Sequence, residues 1–232
     1  MPIRTCLTAE EISAMIKTAT NLRDQTLLTL LSDCGCRVSE LLAVSAVDFD
    51  SERQIIIIPH LKRGVKKHCP KCSHIAGRST KFCAKCGTDL LKVLPVGIEE
   101  RTRMISIGRQ TSDLLDSYLI KAKISGDMPI FPITRQTVYL LVRESANLVG
   151  LGGRIFLNTE SGKHHYIHPH DFRSALAVDW LAEAKGDVSK QKALQDHLGH
   201  KKFETTISYN KLAPSMVRAT GDEVREKRFG SQ

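Results

Sequence analysis

Hydrophobic positions follow helical spacing over most of the chain, which predicts a mainly α-helical protein. Residues 8–23 begin with Thr8 and Glu11, a pair that can form a capping box, and continue with apolar side chains on one helical face. A strongly apolar helix is predicted over about 24–34, and Gly35 is expected to end it. Further helices are predicted over residues 37–44, 110–123, 134–150, 171–184, 188–200, 204–212 and 213–228.

Two segments change to strand periodicity. Four consecutive isoleucines at 55–58 follow a polar turn, and β-branched side chains favour a buried strand. Residues 101–108 alternate polar and apolar positions, which predicts a second strand that pairs antiparallel with the first. Residues 150–170 are expected to form a loop with at most one short strand. The predicted fold class is α+β, mostly α-helical, with a small antiparallel sheet.

The charge balance points to a polyanionic partner. The 232 residues carry 34 lysines and arginines against 25 acids, a net charge of +9, and nucleic acid is the usual partner of such a surface. The sequence contains no apolar run long enough to span a membrane, and its N-terminus lacks a secretion signal. We therefore expect a cytoplasmic protein that does not enter a membrane.

Four of the seven cysteines form two Cys-x-x-Cys pairs, which predicts a zinc site. They are spaced as C-x2-C-x10-C-x2-C, at Cys69, Cys72, Cys83 and Cys86. A site closed by four thiolates is structural, so Zn²⁺ is expected to fold an inserted ribbon over residues 63–92. From Lys62 to Lys85 there are eight basic residues and no acid, which favours contact with phosphates. A solvated module with a structural role alone is the alternative.

Three motifs carry a resemblance to a known family. They are "CGCRVSELL", "HPHDFRSALA" and "LGHKKFETTISYNKL". In this order, from Thr8 to Leu212, they resemble the tyrosine recombinases, which include phage integrases, chromosome-dimer resolvases and invertases. The resemblance implies one catalytic domain over 1–232 with the tyrosine-recombinase fold, interrupted by the zinc ribbon. The N-terminal core-binding domain that most family members carry is not expected in this chain.

The resemblance also implies an active site and an activity. The family's catalytic residues correspond to Arg37, Lys62, His170, Arg173, His200 and Tyr209, with Lys66 as the alternative lysine. Tyr209 is the implied nucleophile, and we expect its ring to be unburied so that the hydroxyl can reach DNA. The implied reaction cleaves and rejoins double-stranded DNA through a 3′-phosphotyrosyl link. Neither a catalytic metal nor ATP is expected to take part.

Other functions remain open at this stage. A DNA-binding regulator could keep the fold and lose the chemistry, a zinc-ribbon module could act in transcription, and a type IB topoisomerase would share the reaction. The DNA target, the type of recombination and the oligomeric state do not follow from the sequence, although self-association on DNA is expected. We also hypothesise that the ribbon partly replaces a missing DNA clamp and positions Lys62.

Overall fold

The computed structural model describes residues 6–59, 66–77, 80–91, 93, 102–157 and 164–212. The chain divides into two compact units. One comprises Met1–Ile58 with Arg103–Gln232, and the other comprises Pro59–Thr102. The predicted insert, 63–92, falls within the second unit, and its exact bounds stay a prediction.

The described elements are mainly helices, with several short strands. The helices are α1 (Ala9–Lys17), α2 (Leu22–Cys34), α3 (Val38–Leu41), α4 (Arg109–Ala122), α5 (Arg135–Leu148), α6 (Pro169–Ala184), α7 (Val188–Leu198) and α8 (Phe203–Ile207). The strands are β1 (Phe49–Asp50), β2 (Ile55–Pro59), β3 (Lys66–His68), β4 (Ile75–Gly77), β5 (Thr102–Ser106), β6 (Ile155–Leu157) and β7 (His164–Tyr166). Two 3-10 helices span Ala46–Asp48 and Ser208–Leu212.

Helix α2 forms the centre of the first unit. Its four core leucines are at most 1% exposed: Leu27, Leu28, Leu30 and Leu31. The helix packs against α1, α4 and α6, and for this reason its sequence is apolar on more than one side. Gly35 ends the helix with a left-handed φ of 54°, as predicted. The capping box of α1 is also confirmed, with reciprocal hydrogen bonds between Thr8 and Glu11.

The two predicted strands, β2 and β5, are neighbours in one sheet, whereas a second hairpin was not predicted. Strands β1, β2 and β5 form one sheet in that order, and β1 pairs antiparallel with β2. Along β2 only Ile56 and Ile58 are fully buried, so the isoleucine run has one core face. The prediction of at most one strand in 150–170 was wrong, because β6 and β7 pair as a hairpin. Each strand has three residues, too few for an alternating pattern to be recognised.

Several predicted helices are shorter than expected. Helix α1, predicted within 8–23, ends at Lys17, because Asn21 caps a new helix that begins at Leu22. Helix α3 is four residues long, and the predicted helix over 204–212 changes at Ser208 from α8 to a 3-10 helix. The predicted helix over 213–228 lies outside the described residues. None of the helices in the described part of the chain has the length and apolar character that a membrane span requires. The expected cytoplasmic location stays a prediction.

Candidate active site

Arg173, in the second turn of α6, is almost completely buried at 1% exposure. Its Nη1 donates to the carbonyl of Gly35 at 2.7 Å, and its Nη2 donates to the carbonyl of Leu198 at 2.8 Å. Burial lowers the pKa of this guanidinium, whereas the nearby phenol of Tyr209 raises it. An arginine nevertheless remains charged in a protein. The side chain therefore places a fixed positive charge where α2 and α7 end.

His200 accepts a further hydrogen bond from Arg173, with 2.7 Å between Nη2 and the ring Nε2. A guanidinium can only donate, so Nε2 is the unprotonated nitrogen of the ring. The proton then lies on Nδ1, which is 2.9 Å from the hydroxyl of Thr206. Burial, followed by the charges of Arg173 and Arg37, lowers the pKa of His200 to about 3. The imidazole is therefore neutral at neutral pH.

The Tyr209 ring lies against His200, with ring centroids 5.9 Å apart and planes 9° from parallel. It is only 8% exposed, so the expectation of an unburied tyrosine was wrong. The ring completes a small apolar cluster with Ala177, Leu181, Leu194 and Leu198. Burying its apolar body is favourable, and the phenol lies close enough to the Arg173 guanidinium to raise its pKa. The nucleophile candidate and the buried arginine thus share one pocket of one chain.

Arg37 is the N-cap residue of α3, and a buried carboxylate holds its side chain. Its Nη1 donates to Oε1 of Glu40 at 2.7 Å, and Arg103 donates to the other oxygen, Oε2, at 2.9 Å. Burial opposes ionisation of Glu40, but the two arginines outweigh this effect and lower its pKa. Arg103 also donates from Nε to the carbonyl of His197 at 2.8 Å. The Arg37 side chain itself is 25% exposed, so it remains accessible.

The remaining predicted residues are placed less fully. His170, the second residue of α6, is exposed, and the pKa of its ring is lowered to about 4, first by desolvation and then by the charge of Arg173. Lys62 lies outside the described residues, and Lys66 is described only as the first backbone position of β3. The structure brings together Arg37, His170, Arg173, His200 and Tyr209. Their catalytic roles stay predictions.

The four predicted zinc ligands converge in the second unit. Their sulfurs lie within 4.8 Å of one another, with separations of 3.4 Å for Cys69–Cys86 and 3.6 Å for Cys72–Cys83. Tetrahedral Zn²⁺ with bonds of about 2.3 Å needs sulfurs about 3.8 Å apart. Four thiols at this spacing therefore fit such an ion.

The two Cys-x-x-Cys turns have the same backbone geometry. Ser73 follows the first pair at φ 53° and donates its N–H to the carbonyl of Cys69 at 2.9 Å. Gly87 follows the second pair at φ 72° and donates in the same way to Cys83 at 2.9 Å. Left-handed backbone at an ordinary residue such as Ser73 is uncommon and marks a turn with a specific purpose. Each turn presents both of its thiols toward the other turn.

Comparison with known proteins assigns the family. Residues 5–216 match the sequence model of the phage integrase family, which is most of the chain. The chain belongs to the phage integrase family. Tyrosine recombinase XerA of Pyrococcus horikoshii is 27% identical over 214 residues, which cover 91% of this chain and 58% of that protein. The type 1 fimbriae regulatory protein FimE of Escherichia coli is 27% identical over 213 residues, which cover 90% of this chain and 86% of FimE.

Solved structures of phage integrase relatives share the fold. A crystal structure of XerA recombinase superposes with a TM-score of 0.64 at 20% identity, covering 97% of this chain and 66% of that one. The catalytic domain of bacteriophage HP1 integrase superposes with a TM-score of 0.52 at 13% identity. The match covers 98% of this chain and 99% of that one. The predicted tyrosine-recombinase catalytic fold is confirmed. The chain spans a little under three fifths of the length of XerA.

Sequence reasoning missed three side chains that hold this integrase-family pocket together. They are Glu40, Arg103 and Thr206. Glu40 had a local signal, because it lies three residues after Arg37, at the spacing of a capping box. Arg103 had none, because its partners are distant in sequence and an arginine in an alternating strand looks like a surface residue. Only the three-dimensional structure shows that Arg103 contacts Glu40 and the carbonyl of His197.

Arg103→Ala tests the role of the buried carboxylate. The variant removes the cation that pairs with Oε2 of Glu40 and the Arg103 donor to the carbonyl of His197. Removing one partner of a buried ion pair is strongly destabilising, so we expect a loss on the order of 2–3 kcal/mol in urea unfolding. Arg53→Ala is the control, because Arg53 pairs with Asp50 at the surface and its loss should cost less than about 1 kcal/mol. Equal effects of both substitutions would contradict a structural role for Arg103.

Proposed function

We propose that this chain is a site-specific DNA recombinase that cleaves and rejoins double-stranded DNA. The observation that carries the proposal is the contact of buried Arg173 with His200 beside the Tyr209 ring. A phenol, a fixed guanidinium and a neutral imidazole are groups suited to displacement at a phosphodiester. The matching relative XerA, named a tyrosine recombinase, supports the proposal.

In the proposed reaction, the Tyr209 oxygen attacks the phosphorus of the scissile phosphodiester. The oxygen–phosphorus bond forms as the bond to the 5′-oxygen of the next nucleotide breaks. The products are a 3′-phosphotyrosyl link and a free 5′-hydroxyl. A second 5′-hydroxyl then displaces the tyrosine and rejoins the strand. One phosphoester replaces another at each step, so the reaction needs no ATP.

The two arginines are proposed to bind the reacting phosphate. The Nε of Arg173 is buried and has no hydrogen-bond partner in the described part of the chain. A buried N–H without a hydrogen-bond partner is unfavourable in free energy. A phosphate oxygen would accept a hydrogen bond from it. Arg37 is accessible and already oriented by Glu40. Two guanidiniums would stabilise the charge that develops at phosphorus and would favour the phenolate of Tyr209.

The proposed proton transfers use the imidazoles and a lysine. The neutral His200 has an unprotonated Nε2, so once DNA displaces its contact with Arg173 it could accept the proton of Tyr209. His170 would hydrogen-bond the phosphate from the exposed edge of the site. Lys62 would protonate the departing 5′-oxygen, with Lys66 as the alternative. The roles of His170 and the lysines rest on the family resemblance.

Strand exchange also sets a requirement on assembly. Each cleaved strand needs its own tyrosine, and exchange between two duplexes involves several cleavages. We therefore include self-association on DNA, as a dimer or a tetramer, in the proposal.

Tyr209→Phe tests the nucleophile. A labelled pool of nicked duplexes with randomised sequence should give a covalent protein–DNA adduct with the wild-type chain, because the nick releases the 5′-hydroxyl fragment and traps the intermediate. We expect no adduct with Tyr209→Phe, which lacks the attacking oxygen. Denaturing electrophoresis measures the adduct, and mass spectrometry locates the modified tyrosine.

Tyr166→Phe is the matched control, because Tyr166 is half exposed on β7 and should not affect the adduct. An adduct that persists in Tyr209→Phe would mean that another residue is the nucleophile. DNA binding without an adduct in the wild-type chain would favour the alternative function, a regulator that keeps the fold without strand transfer.

We further propose that Cys69, Cys72, Cys83 and Cys86 bind one structural Zn²⁺. The fit of the four sulfurs to tetrahedral zinc supports this proposal. Among the described residues of this unit, the apolar core around the site is small and consists of the cysteines with Ala76, Leu90 and Val93. So small a core is typically stabilised by a metal.

The proposed zinc ribbon is also suited to contact DNA. Lys71 and Lys85 occupy equivalent positions in the two Cys-x-x-Cys turns, and both are exposed, as is Lys81. Lys67 differs, because its ammonium is buried and donates to the carbonyl of Leu90 at 2.7 Å. The exposed lysines would reach phosphates, whereas Lys67 would stabilise the ribbon itself.

Cys69→Ser with Cys72→Ser tests both parts of the ribbon proposal. Removing two ligands should remove about one equivalent of zinc per chain, measured by native mass spectrometry, and should weaken DNA binding. Cys6→Ser is the control, because Cys6 lies outside the cluster. Unchanged zinc content would contradict the metal site. Unchanged DNA affinity in a folded variant that has lost this equivalent of zinc would contradict the DNA contact.

A further inference from the structure

Three side chains near the start of α6 form a cluster that the proposed reaction does not use. We call His165, His168 and Asp171 the imidazole–carboxylate cluster. The Nε2 of His165 is 3.2 Å from one carboxylate oxygen of Asp171, and the Nδ1 of His168 is 2.8 Å from the other. One ligand atom from each residue lies within 4.8 Å of the others. The two imidazole centroids are 4.5 Å apart.

The local fold explains why these side chains meet. His168 is the N-cap of α6 and Asp171 is its third residue, so the capping box brings them together. His165, the middle residue of β7, pairs with Phe156 of β6. The cluster therefore joins the β6–β7 hairpin to the first turn of the helix that carries His170 and Arg173.

The donor set and its spacing suit a divalent transition metal. Two imidazoles and a carboxylate are the ligands of many three-ligand zinc sites. With bonds of about 2.0–2.1 Å, tetrahedral coordination requires ligand atoms about 3.3 Å apart. The nitrogen–oxygen separations of 3.2 Å and 2.8 Å run to different oxygens of Asp171, and both are shorter than that value. Small rotations of the rings would place the three ligand atoms around one ion.

The carboxylate of Asp171 is buried and held in place, whereas the two imidazoles are partly exposed to solvent. The side chain of Asp171 is 7% exposed, whereas those of His165 and His168 are 27% and 32% exposed. The carboxylate is also held by the backbone N–H of His168 at 2.8 Å. An ion could reach the imidazoles from solvent and find the oxygen ligand already oriented.

We propose that His165, His168 and Asp171 bind one divalent transition-metal ion of the Zn²⁺ type, separately from the four-cysteine site. Water completes its coordination. The nitrogen and oxygen ligands distinguish this site from the all-sulfur site, because imidazole also suits other divalent ions such as Ni²⁺, whereas thiolate favours soft ions. The bound ion ties the hairpin to the first turn of α6. Metal binding itself does not depend on the proposed recombinase activity.

Cobalt provides a spectroscopic test of this site. In the full chain with its cysteine site filled by zinc, added Co²⁺ should bind with about one equivalent per chain. The expected spectrum has d–d bands without the thiolate-to-cobalt charge-transfer band, because no sulfur is a ligand. His165→Ala should weaken Co²⁺ binding on the order of 100-fold, since changes around a metal site cost about 10–100-fold even when they spare the ligands.

Two further variants make the test specific. His164→Ala is the matched control, because His164 is next to His165 on β7, is exposed and lies outside the cluster. The Co²⁺ affinity of this variant should equal that of the wild type. Asp171→Asn preserves the shape of the side chain and removes its charge, and it should weaken binding as His165→Ala does. Circular dichroism checks that each variant is folded.

Two outcomes would overturn the proposal. One is the absence of any sulfur-free cobalt spectrum in the wild-type chain. The other is equal Co²⁺ affinity in the wild type, His165→Ala and Asp171→Asn, which would make the cluster a hydrogen-bonded helix cap only. The measurement is made without DNA, so either result leaves the test of Tyr209 unaffected.

Discussion

The site depends on one buried guanidinium. Arg173 has lost almost all contact with water, and two backbone carbonyls and an imidazole compensate for that loss. A buried charge is tolerated only when it is paired or hydrogen-bonded, so the segments around it must hold their positions. The carbonyls belong to Gly35 and Leu198, at the ends of α2 and α7. The packing of three helices therefore determines the geometry of the pocket.

The charge of Arg173 influences the protonation of His200 and lies close to Tyr209. Arg173 determines which nitrogen of His200 carries the proton, and together with burial it keeps that ring neutral. Tyr209 stacks on the same ring with its hydroxyl toward the guanidinium. The pocket combines a positive charge with a neutral base candidate, a combination that would both bind a phosphate and accept the proton of a phenol. All of these side chains come from one chain.

The features that could be predicted from the sequence are those that local patterns determine. The capping box at Thr8, the end of α2 at Gly35, the central position of α2 and the convergence of the cysteines all follow from short-range periodicity or spacing. Motif resemblance located the pocket residues but not their surroundings. The burial of Tyr209 and the pairing of Arg103 with Glu40 depend on contacts between distant segments, which no local pattern contains. The β6–β7 hairpin was missed because its strands are too short to show a period.

The protonation state of His200 tests the central claim most directly, because it reports on the contact with Arg173. Long-range proton–nitrogen NMR of the ¹⁵N-labelled imidazole measures that state between about pH 7 and pH 5, on both sides of the ordinary histidine pKa. We expect a neutral ring with its proton on Nδ1 throughout this range, because the pKa of His200 is lowered to about 3. A ring that becomes protonated near pH 6.5, or that carries its proton on Nε2, would contradict the account.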